Sequence, residues 1–148
     1  MYPTRYIQYL NLPKIPQYVI DSLIRDVEQH RAHHNSNKYG NVYVWSDLST
    51  DLLNTWCREN ISDEMYYGLQ LMPNDVPIHQ DVGTKIKINY LIDTGGNNVL
   101  TNFYDNDGTT ELASYCIDVG RWHIFKADTH HEVKNIENTR ISITSRIF

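Results

Sequence analysis

Residues 129–144 of the chain read THHEVKNIENTRISIT, and a shorter stretch upstream, residues 78–81, reads IHQD. At the end of the longer stretch, Arg140, Ser142 and Thr144 alternate with isoleucines. This period of two is typical of a β-strand whose two faces differ. The same kind of pattern, interrupted by turn residues, predicts strands at 64–72, 84–92, 99–104, 111–118, 121–126, 130–134 and 139–147.

The first part of the chain has a helical period instead. Apolar residues at helical spacing predict a helix from Gln17 to about His34. A second helix is expected to run to about Asn60, with Ser46 or Asp47 as its N-cap. Either cap residue has a side-chain oxygen that can accept a hydrogen bond from a free backbone N–H of the first turn.

Shorter elements precede and separate these helices. Alternation predicts an edge strand at 4–10, and composition predicts a loop at 35–40 and a short strand at 42–45. Helices followed by many short strands indicate a helical layer packed on a β-sandwich or jelly roll. At 148 residues the chain has the length of one domain. We therefore expect a single domain, with a helical support layer over 1–63 and a β core over 64–148.

The composition argues against several function classes. The net charge is −5 and no Lys/Arg cluster is present, so a nucleic-acid partner is not expected. No apolar run approaches the roughly 20 residues of a membrane span, so no membrane association is expected. Cys57 and Cys116 form no metal-binding or redox pair by spacing, and no apolar run opens the chain. Both features predict a reducing, cytoplasmic location, whereas the oligomeric state is not predicted.

Two candidate metal ligands, His79 and Asp81, lie two positions apart in the shorter stretch. In an extended backbone both side chains share one face, so their ligand atoms can converge on one ion. Such a pair also arises by chance at polar strand ends, and by itself it is explained equally well as a surface feature. A third ligand is needed to favour a metal site.

The tandem pair His130 and His131 offers this third ligand. In a strand, His131 shares one face with Val133, and His130 shares the other with Glu132. Because Val133 suits a buried position, we expect His131 to point inward, with His130 as the alternative. The remaining interpretation is a surface histidine pair beside a turn.

Two imidazoles and one carboxylate form the ligand set of facial-triad iron enzymes, in which ferrous iron keeps open positions for oxygen chemistry. Arg140, nine positions after His131, adds a cation on the polar face of the last strand. A buried guanidinium without a partner is costly, and a dicarboxylate cosubstrate is a natural partner, with Ser142 as a further donor. The alternative is an ion pair between Arg140 and Glu132 or Glu137.

Residues 79–144, a little under half of the chain, resemble the catalytic core of the iron(II)/2-oxoglutarate-dependent dioxygenase superfamily. Within it they are most similar to prolyl 4-hydroxylases, including the oxygen-sensing type. The resemblance implies a mainly β fold with N-terminal helices, a cupin-like jelly roll called the double-stranded β-helix, with the helices packed on one sheet. The motifs that carry the resemblance are His79-x-Asp81, Tyr90-Leu91, Gly95-Gly96 before the 100–104 strand, Gly120-Arg121 before Phe125, His131-Glu132-Val133, Thr139-Arg140 and Ile143-Thr144.

The same resemblance implies roles for individual residues. His79, Asp81 and His131 would bind Fe(II), and Arg140 would bind the distal carboxylate of 2-oxoglutarate; these four form the expected catalytic set. The hydroxyl of Tyr90 would reach the same carboxylate, unless Tyr90 is an aromatic core residue. The expected cofactors are Fe(II), 2-oxoglutarate as cosubstrate and O2, with ascorbate as an optional reductant.

The expected activity is hydroxylation of a peptidyl proline or another amino-acid side chain, with a peptide or small-molecule substrate as partner. Three alternatives stay open: a free small metabolite as the substrate, a catalytically inactive metal-binding or ligand-binding jelly-roll module, and a zinc or manganese hydrolase. The chain departs from the family at Met72-Pro73, where a tyrosine commonly precedes the proline. One expected active-site contact is therefore missing.

Other histidines have simpler interpretations. His30, His33 and His34 share a face of the first helix, but no carboxylate or cysteine accompanies them, so a solvated helix end is favoured over a zinc site. His123, beside Trp122 in a predicted strand, is expected to serve in packing or to support the metal ligands from outside.

Overall fold

The computed structural model of the protein describes residues 6–33, 36–39 and 42–147. Two helices, α1 (Gln17–His33) and α2 (Asp51–Asn60), lie in the first part of the chain. The strands are β1 (Ile7–Tyr9), β2 (Ser36–Tyr39), β3 (Val42–Leu48), β4 (Met65–Met72), β5 (Val76–His79), β6 (Ile86–Asp93), β7 (Leu100–Tyr104), β8 (Glu111–Tyr115), β9 (Trp122–Lys126), β10 (His130–Lys134) and β11 (Arg140–Ile147).

The strands form two antiparallel sheets that enclose a pocket between them. The larger sheet has the order β1-β9-β6-β11-β4-β3-β2, and the smaller has the order β5-β10-β7-β8. Strands that are distant in sequence become neighbours, as in a double-stranded β-helix, so the predicted mainly β jelly roll is confirmed. Each of the predicted strand segments from residue 64 onward forms a strand, and β5 is a further strand that alternation in the sequence does not predict.

The two helices cover one face of the larger sheet. Val19 and Leu23 of α1 and Leu53 of α2 are fully buried, because apolar residues recur on one stripe of each helix. Burial of one such side chain contributes about 1.5–3 kcal/mol through the apolar area removed from water. The helical layer closes this face of the sheet, and the opposite face borders the pocket. The side chains of the sheet beneath the helices are Tyr67, Tyr90, Trp122 and Ile143.

The first 63 residues contain more strand than the sequence predicts. Residues 36–39, predicted as a loop from their polar composition, form β2, which pairs with β3. Backbone hydrogen bonding at the sheet edge outweighs composition here, since strand propensity depends strongly on context. The predicted strand at 42–45 is confirmed and continues to Leu48, and the predicted edge strand forms as β1. The described part of residues 1–63 therefore combines two helices with three strands.

The N-cap of α2 is Thr50 rather than Ser46 or Asp47. The helix begins at Asp51, and the backbone N–H of Leu53 donates to Thr50 Oγ1 at 3.2 Å. Ser46 and Asp47 instead lie within β3, whose pairing with β4 keeps the chain extended past the predicted helix start.

Some predictions fall outside the described residues. These are positions 4 and 5 of the edge strand, His34, and the side chains of His30 and His33. In the part of the chain that the structure does describe, neither helix combines the length and the apolar composition that a membrane crossing needs.

Candidate metal centre

The structure brings the three predicted metal ligands together between the sheets. His79 ends β5, His131 lies opposite it in β10, and Asp81 follows two residues after His79. The Nε2 atoms of His79 and His131 lie 3.3 Å and 3.7 Å from Asp81 Oδ1. One ligand atom from each residue lies within 4.8 Å of the other two. Atoms that each lie about 2 Å from one ion are at most about 4 Å apart, and both distances to Asp81 Oδ1 meet this limit.

Backbone carbonyls orient both imidazoles. His79 Nδ1 lies 2.8 Å from Pro77 O, and His131 Nδ1 lies 2.7 Å from Thr129 O. A carbonyl oxygen only accepts hydrogen bonds, so each Nδ1 carries a proton and each Nε2 is directed toward Asp81. Two imidazole nitrogens and a carboxylate oxygen then face one another, and they need a proton or a metal cation between them. This donor set therefore fits a divalent metal.

Burial and charge set the protonation of these ligands. Burial, with a smaller effect of His79, lowers the pKa of His131 to about 4, so this imidazole is neutral at physiological pH. Burial by itself would raise the pKa of Asp81, but a hydrogen bond from His79 and the ammonium of Lys87 hold it well below its usual range. The carboxylate is therefore ionised and His131 is neutral, which are the states that bind a metal.

Asp81 lies beyond the end of β5, and two contacts hold it there. Its backbone N–H donates to the carbonyl oxygen of Ala127 at 3.0 Å. Its Oδ2 atom contacts Nζ of Lys87, which lies on β6. The other carboxylate oxygen, Oδ1, is the one that faces the imidazoles.

The pocket extends from the metal ligands into the space between the sheets. The cavity is compact, with about 70 Å³ open to the centres of water molecules. Met72, at the position where the family resemblance implies a tyrosine beside the proline, forms part of the apolar wall. The other apolar lining residues are Val76, Leu91, Ile117, Phe125 and Val133.

Arg140, the first residue of β11, lines this pocket and is 7% exposed. Its guanidinium donates to Thr94 O at 3.3 Å and, less closely, to Thr101 Oγ1 at 3.5 Å. Burial lowers the pKa of Arg140 to about 10, which leaves it charged. No carboxylate of the described residues forms an ion pair with it. A guanidinium has five N–H donors, so this buried cation retains the capacity to bind an anion.

The protein carboxylates considered as partners of Arg140 do not pair with it. Glu132 alternates with the pocket-lining residues of β10, and its Oε1 accepts hydrogen bonds from Asn102 Nδ2 at 3.0 Å and from Tyr104 OH. Glu137 forms no ion pair with Arg140 in the described structure either. The alternative of a Glu132 or Glu137 partner is therefore wrong.

Tyr90 does not reach the pocket. Its side chain is 3% exposed and packs beneath the helices, with its ring centroid 5.0 Å from that of Trp122. Because side chains alternate along β6, Asn89 and Leu91 line the pocket instead. The predicted role of Tyr90 in cosubstrate binding is wrong, and its alternative as a core aromatic residue is correct. The apolar face that Tyr90 shares with Ile88 was the signal available in the sequence.

A row of polar side chains crosses the larger sheet on its pocket face. Asn89 lies opposite Thr144 in β11 and opposite His123 in β9. Asn89 Oδ1 and Thr144 Oγ1 are buried without a hydrogen-bond partner in the described protein. His123 is 2% exposed, its Nδ1 lies 3.3 Å from Arg121 O, and burial lowers its pKa to about 4. These residues were not predicted as site residues, whereas Ser142, a predicted donor, also lines the pocket.

Comparisons with known proteins identify solved structures with a similar fold. No protein-family model and no curated protein matches the sequence. The structure is similar to a prolyl-4-hydroxylase from Pseudomonas putida, with a TM-score of 0.63 and 11% identity over 97% of this chain and 93% of that chain. It is also similar to a prolyl hydroxylase from Trichoplax adhaerens, with a TM-score of 0.61 and 15% identity over 98% and 84% of the two chains. SnoK, a non-heme alpha-ketoglutarate-dependent carbocyclase from nogalamycin biosynthesis, gives a TM-score of 0.62 and 7% identity over 95% and 80%.

At these identities the likeness concerns the fold. The chain has the double-stranded β-helix of the 2-oxoglutarate- and iron(II)-dependent oxygenases, and prolyl 4-hydroxylases are among the similar structures. The fold class implied by the sequence resemblance is thereby confirmed.

Proposed function

We propose that this chain is an iron(II)- and 2-oxoglutarate-dependent oxygenase. One observation carries the proposal: two histidines and a carboxylate converge in the same pocket as a buried arginine that has no carboxylate partner among the described residues. A short oxo dicarboxylate engages both features, since its keto-acid end can chelate a metal while its far carboxylate pairs with the guanidinium.

His79, Asp81 and His131 would hold the iron. When bound, ferrous iron together with 2-oxoglutarate and O2 supplies an oxidation in which one oxygen atom enters the substrate and the other enters succinate, with release of carbon dioxide. The protein's own part is to orient both imidazoles through their Nδ1 contacts and to keep Asp81 ionised. Zinc and nickel bind nitrogen and oxygen ligands more tightly than ferrous iron does, so metal affinity alone does not identify the working metal.

The spacing along the smaller sheet supports a five-carbon dicarboxylate. Thr101, which Arg140 contacts, lies opposite Val133, and Val133 lies two residues along β10 from His131. Two residues of strand span about 7 Å. An oxo acid held at the metal ligands would therefore extend toward the guanidinium of Arg140, with Ser142 on the same wall.

Aromatic and apolar side chains around the ligands would keep water away from the reacting atoms. The ring centroids of Phe125 and Phe103 lie 4.9 Å and 6.0 Å from that of His131. Val133 lines the pocket beyond them. A pocket with few waters has a low dielectric constant, which strengthens the attraction between Arg140 and an anionic cosubstrate.

Within this class we propose hydroxylation of a peptidyl proline or another amino-acid side chain. The support is the likeness to two prolyl hydroxylases, one of which is in complex with a peptide fragment. A free small metabolite is the second candidate, since the epimerase SnoN and the carbocyclase SnoK from nogalamycin biosynthesis have similar structures. A cytoplasmic location and the use of ascorbate as a reductant are further parts of the proposal.

An anaerobic titration tests the cosubstrate. Iron(II)-loaded protein should develop a weak visible charge-transfer band on addition of 2-oxoglutarate. The affinity measured from this band should fall about 100-fold or more in Arg140→Ala, because the buried ion pair is lost. His131→Ala should lose the band altogether. Arg121→Ala removes an exposed arginine that pairs with Asp118 and is the matched control, with the wild-type band expected.

A wild-type protein that binds iron but gives no band would contradict the cosubstrate assignment and favour an inactive metal-binding module or a hydrolase. If the band forms, release of succinate across a panel of peptides and free amino acids identifies the substrate class. Turnover with prolyl peptides alone supports the first candidate, and turnover with a free metabolite alone supports the second. Omission of ascorbate from the same assay tests its proposed role.

A further inference from the structure

The two oxygen atoms of Asp81 have different partners. Oδ1 lies 3.3 Å and 3.7 Å from the Nε2 atoms of His79 and His131. Oδ2 contacts the ammonium group of Lys87. A metal held by the two imidazoles would therefore meet Oδ1, while a protein cation occupies the other oxygen of the same carboxylate.

The fold holds Lys87 at this position. Lys87 lies on the pocket face of β6, in the same row of alternating residues as Asn89 and Leu91, and it is opposite Phe125 in β9. The side chains of Lys87 and Asp81 are only 19% and 11% exposed. Solvent and salt therefore screen this pair much less than they screen a surface ion pair.

This lysine changes the charge of the candidate metal site. The charged side chains lining the pocket, among the residues that the structure describes, are Asp81, Lys87 and Arg140. Imidazoles that ligate a metal contribute no charge and one carboxylate contributes −1, which the ammonium of Lys87 cancels. A divalent metal at Oδ1 would consequently be close to a unit positive charge, which opposes its binding. The metal-loaded pocket would in turn attract a dianion more strongly.

We propose that Lys87 is a charge-setting positioning residue of the metal centre, which weakens the binding of the divalent metal and strengthens the binding of the dianionic 2-oxo acid. The proposal rests on the function proposed above, since it requires that the pocket takes a metal and then a dicarboxylate. It assigns to Lys87 a role in balancing the two affinities, beyond holding the carboxylate in place. A purely structural lysine would make both affinities worse on removal.

Manganese(II), which does not react with oxygen under assay conditions, is the probe of the metal step. Calorimetric titration with manganese(II) alone should give a dissociation constant for Lys87→Met that is about tenfold or more below the wild-type value, because charge repulsion is removed. Lys87→Arg keeps the charge and is the matched control, so its affinity should stay within about threefold of wild type. Lys87→Gln is a second neutral variant and should agree in sign with Lys87→Met.

The cosubstrate step is measured on the same proteins loaded with manganese(II). The dissociation constant of 2-oxoglutarate should rise about tenfold in Lys87→Met and should change little in Lys87→Arg. The opposite directions of the two changes separate a charge effect from a loss of folding. Thermal unfolding identifies any variant that is not folded. If Lys87→Met is unfolded, the affinities of Lys87→Gln test the proposal instead.

Each outcome has a definite meaning. Tighter metal binding together with weaker 2-oxoglutarate binding supports the proposal. Unchanged or weaker metal binding in the neutral variants, with normal binding by the wild type, overturns it and leaves the proposed function intact. Tighter metal binding with unchanged 2-oxoglutarate affinity overturns the second half of the proposal. A wild-type protein that binds no manganese(II) or iron(II) overturns the proposed function and this inference with it.

Discussion

Two arginines illustrate how the surroundings of one residue decide its chemistry. Arg121 is exposed and pairs with Asp118 at 3.1 Å, so solvent screens its charge. Arg140 is buried, and among the described residues it donates to the neutral oxygens of Thr94 and Thr101. An anion that pairs with Arg140 therefore gains more than one that pairs with Arg121, because solvent screens the attraction less at the buried guanidinium.

The neighbours Asn89 and Tyr90 give a residue-scale test of the pocket. We expect Asn89→Ala to weaken the binding of 2-oxoglutarate on the order of tenfold, since the Asn89 side chain lines the pocket and its amide N–H groups can donate to a carboxylate of the cosubstrate. Tyr90→Phe is the control, because the Tyr90 hydroxyl bonds to the backbone of Ile15 beneath the helices. This variant should keep the wild-type affinity and lose about 1 kcal/mol of unfolding free energy.

Titration of the metal-loaded variants with 2-oxoglutarate measures both affinities, and chemical denaturation measures the stability. A lower affinity in Tyr90→Phe would restore the tyrosine as a cosubstrate ligand. It would also contradict the position of Tyr90 on the face of β6 beneath the helices.

At the scale of elements, a turn after β6 positions the start of β11, where Arg140 lies. Gly95 in this turn has a φ of +83°, and its carbonyl oxygen accepts hydrogen bonds from the N–H groups of Glu137 at 2.7 Å and Asn138 at 2.8 Å. A Cβ atom on Gly95 would lie 2.7 Å from Asn138 O and 3.0 Å from Arg140 Cβ. Glycine is needed here both for the left-handed backbone and for the close approach of the two segments.

Gly95→Ala should therefore lower the free energy of unfolding by about 3 kcal/mol or more, and it should also weaken 2-oxoglutarate binding. Gly108→Ala is the matched control. Gly108 has a φ of +69°, but its Cβ would meet nothing closer than 3.7 Å, so we expect only the left-handed backbone cost. That cost is about 1–2 kcal/mol. Urea unfolding measures the free energy of unfolding of both variants. An equal decrease in the two would show that the close contact between Gly95 and the start of β11 contributes no additional strain to Gly95→Ala.

At the scale of the whole molecule, the pocket depends on both sheets. His79 and His131 belong to the smaller sheet, whereas Lys87 and Arg140 belong to the larger one. The helices bury the far face of the larger sheet, and this apolar core offsets the cost of polar groups on the pocket face. Folding stability and the geometry of the site are therefore coupled through the larger sheet, because one face forms the apolar core and the other lines the pocket.

The burial of His123 makes the stability of the whole fold depend on pH. Burial lowers its pKa from 6.5 to about 4, so between these values the unfolded chain takes up a proton that the folded chain does not. The free energy of unfolding should consequently fall as the pH is lowered from 6.5 toward 4. This one group contributes a slope of roughly 1.4 kcal/mol per pH unit within that window.

Denaturation curves recorded at steps between these pH values test this prediction. His123→Leu should show a shallower loss of stability than the wild type in the same window, because it has no imidazole to protonate. Identical slopes in the two proteins would mean that the folded protein binds the proton at His123 as readily as the unfolded chain.

The described strands from residue 64 onward, except β5, were predictable from the sequence, because alternation is a local property of an extended chain. Every second side chain shares a face whichever sheet the strand later joins. The same rule predicted that His131 rather than its neighbour His130 would lie with His79 and Asp81, and the structure brings these three together. The family resemblance added the double-stranded β-helix, since its motifs occur in the expected order.

Only the tertiary structure decided which face of each element meets which partner. The sequence of β6 alone does not show that the helices cover Tyr90 while Asn89 lines the pocket. Nor does it show that the ammonium of Lys87 contacts Oδ2 of Asp81. The pairing of the polar residues 36–39 with β3 likewise depends on a neighbouring strand. These contacts are stabilised by interactions between residues that are distant in sequence, and a local sequence pattern does not contain such interactions. The periods of the strands and the spacing of the ligands, in contrast, are present in the sequence itself.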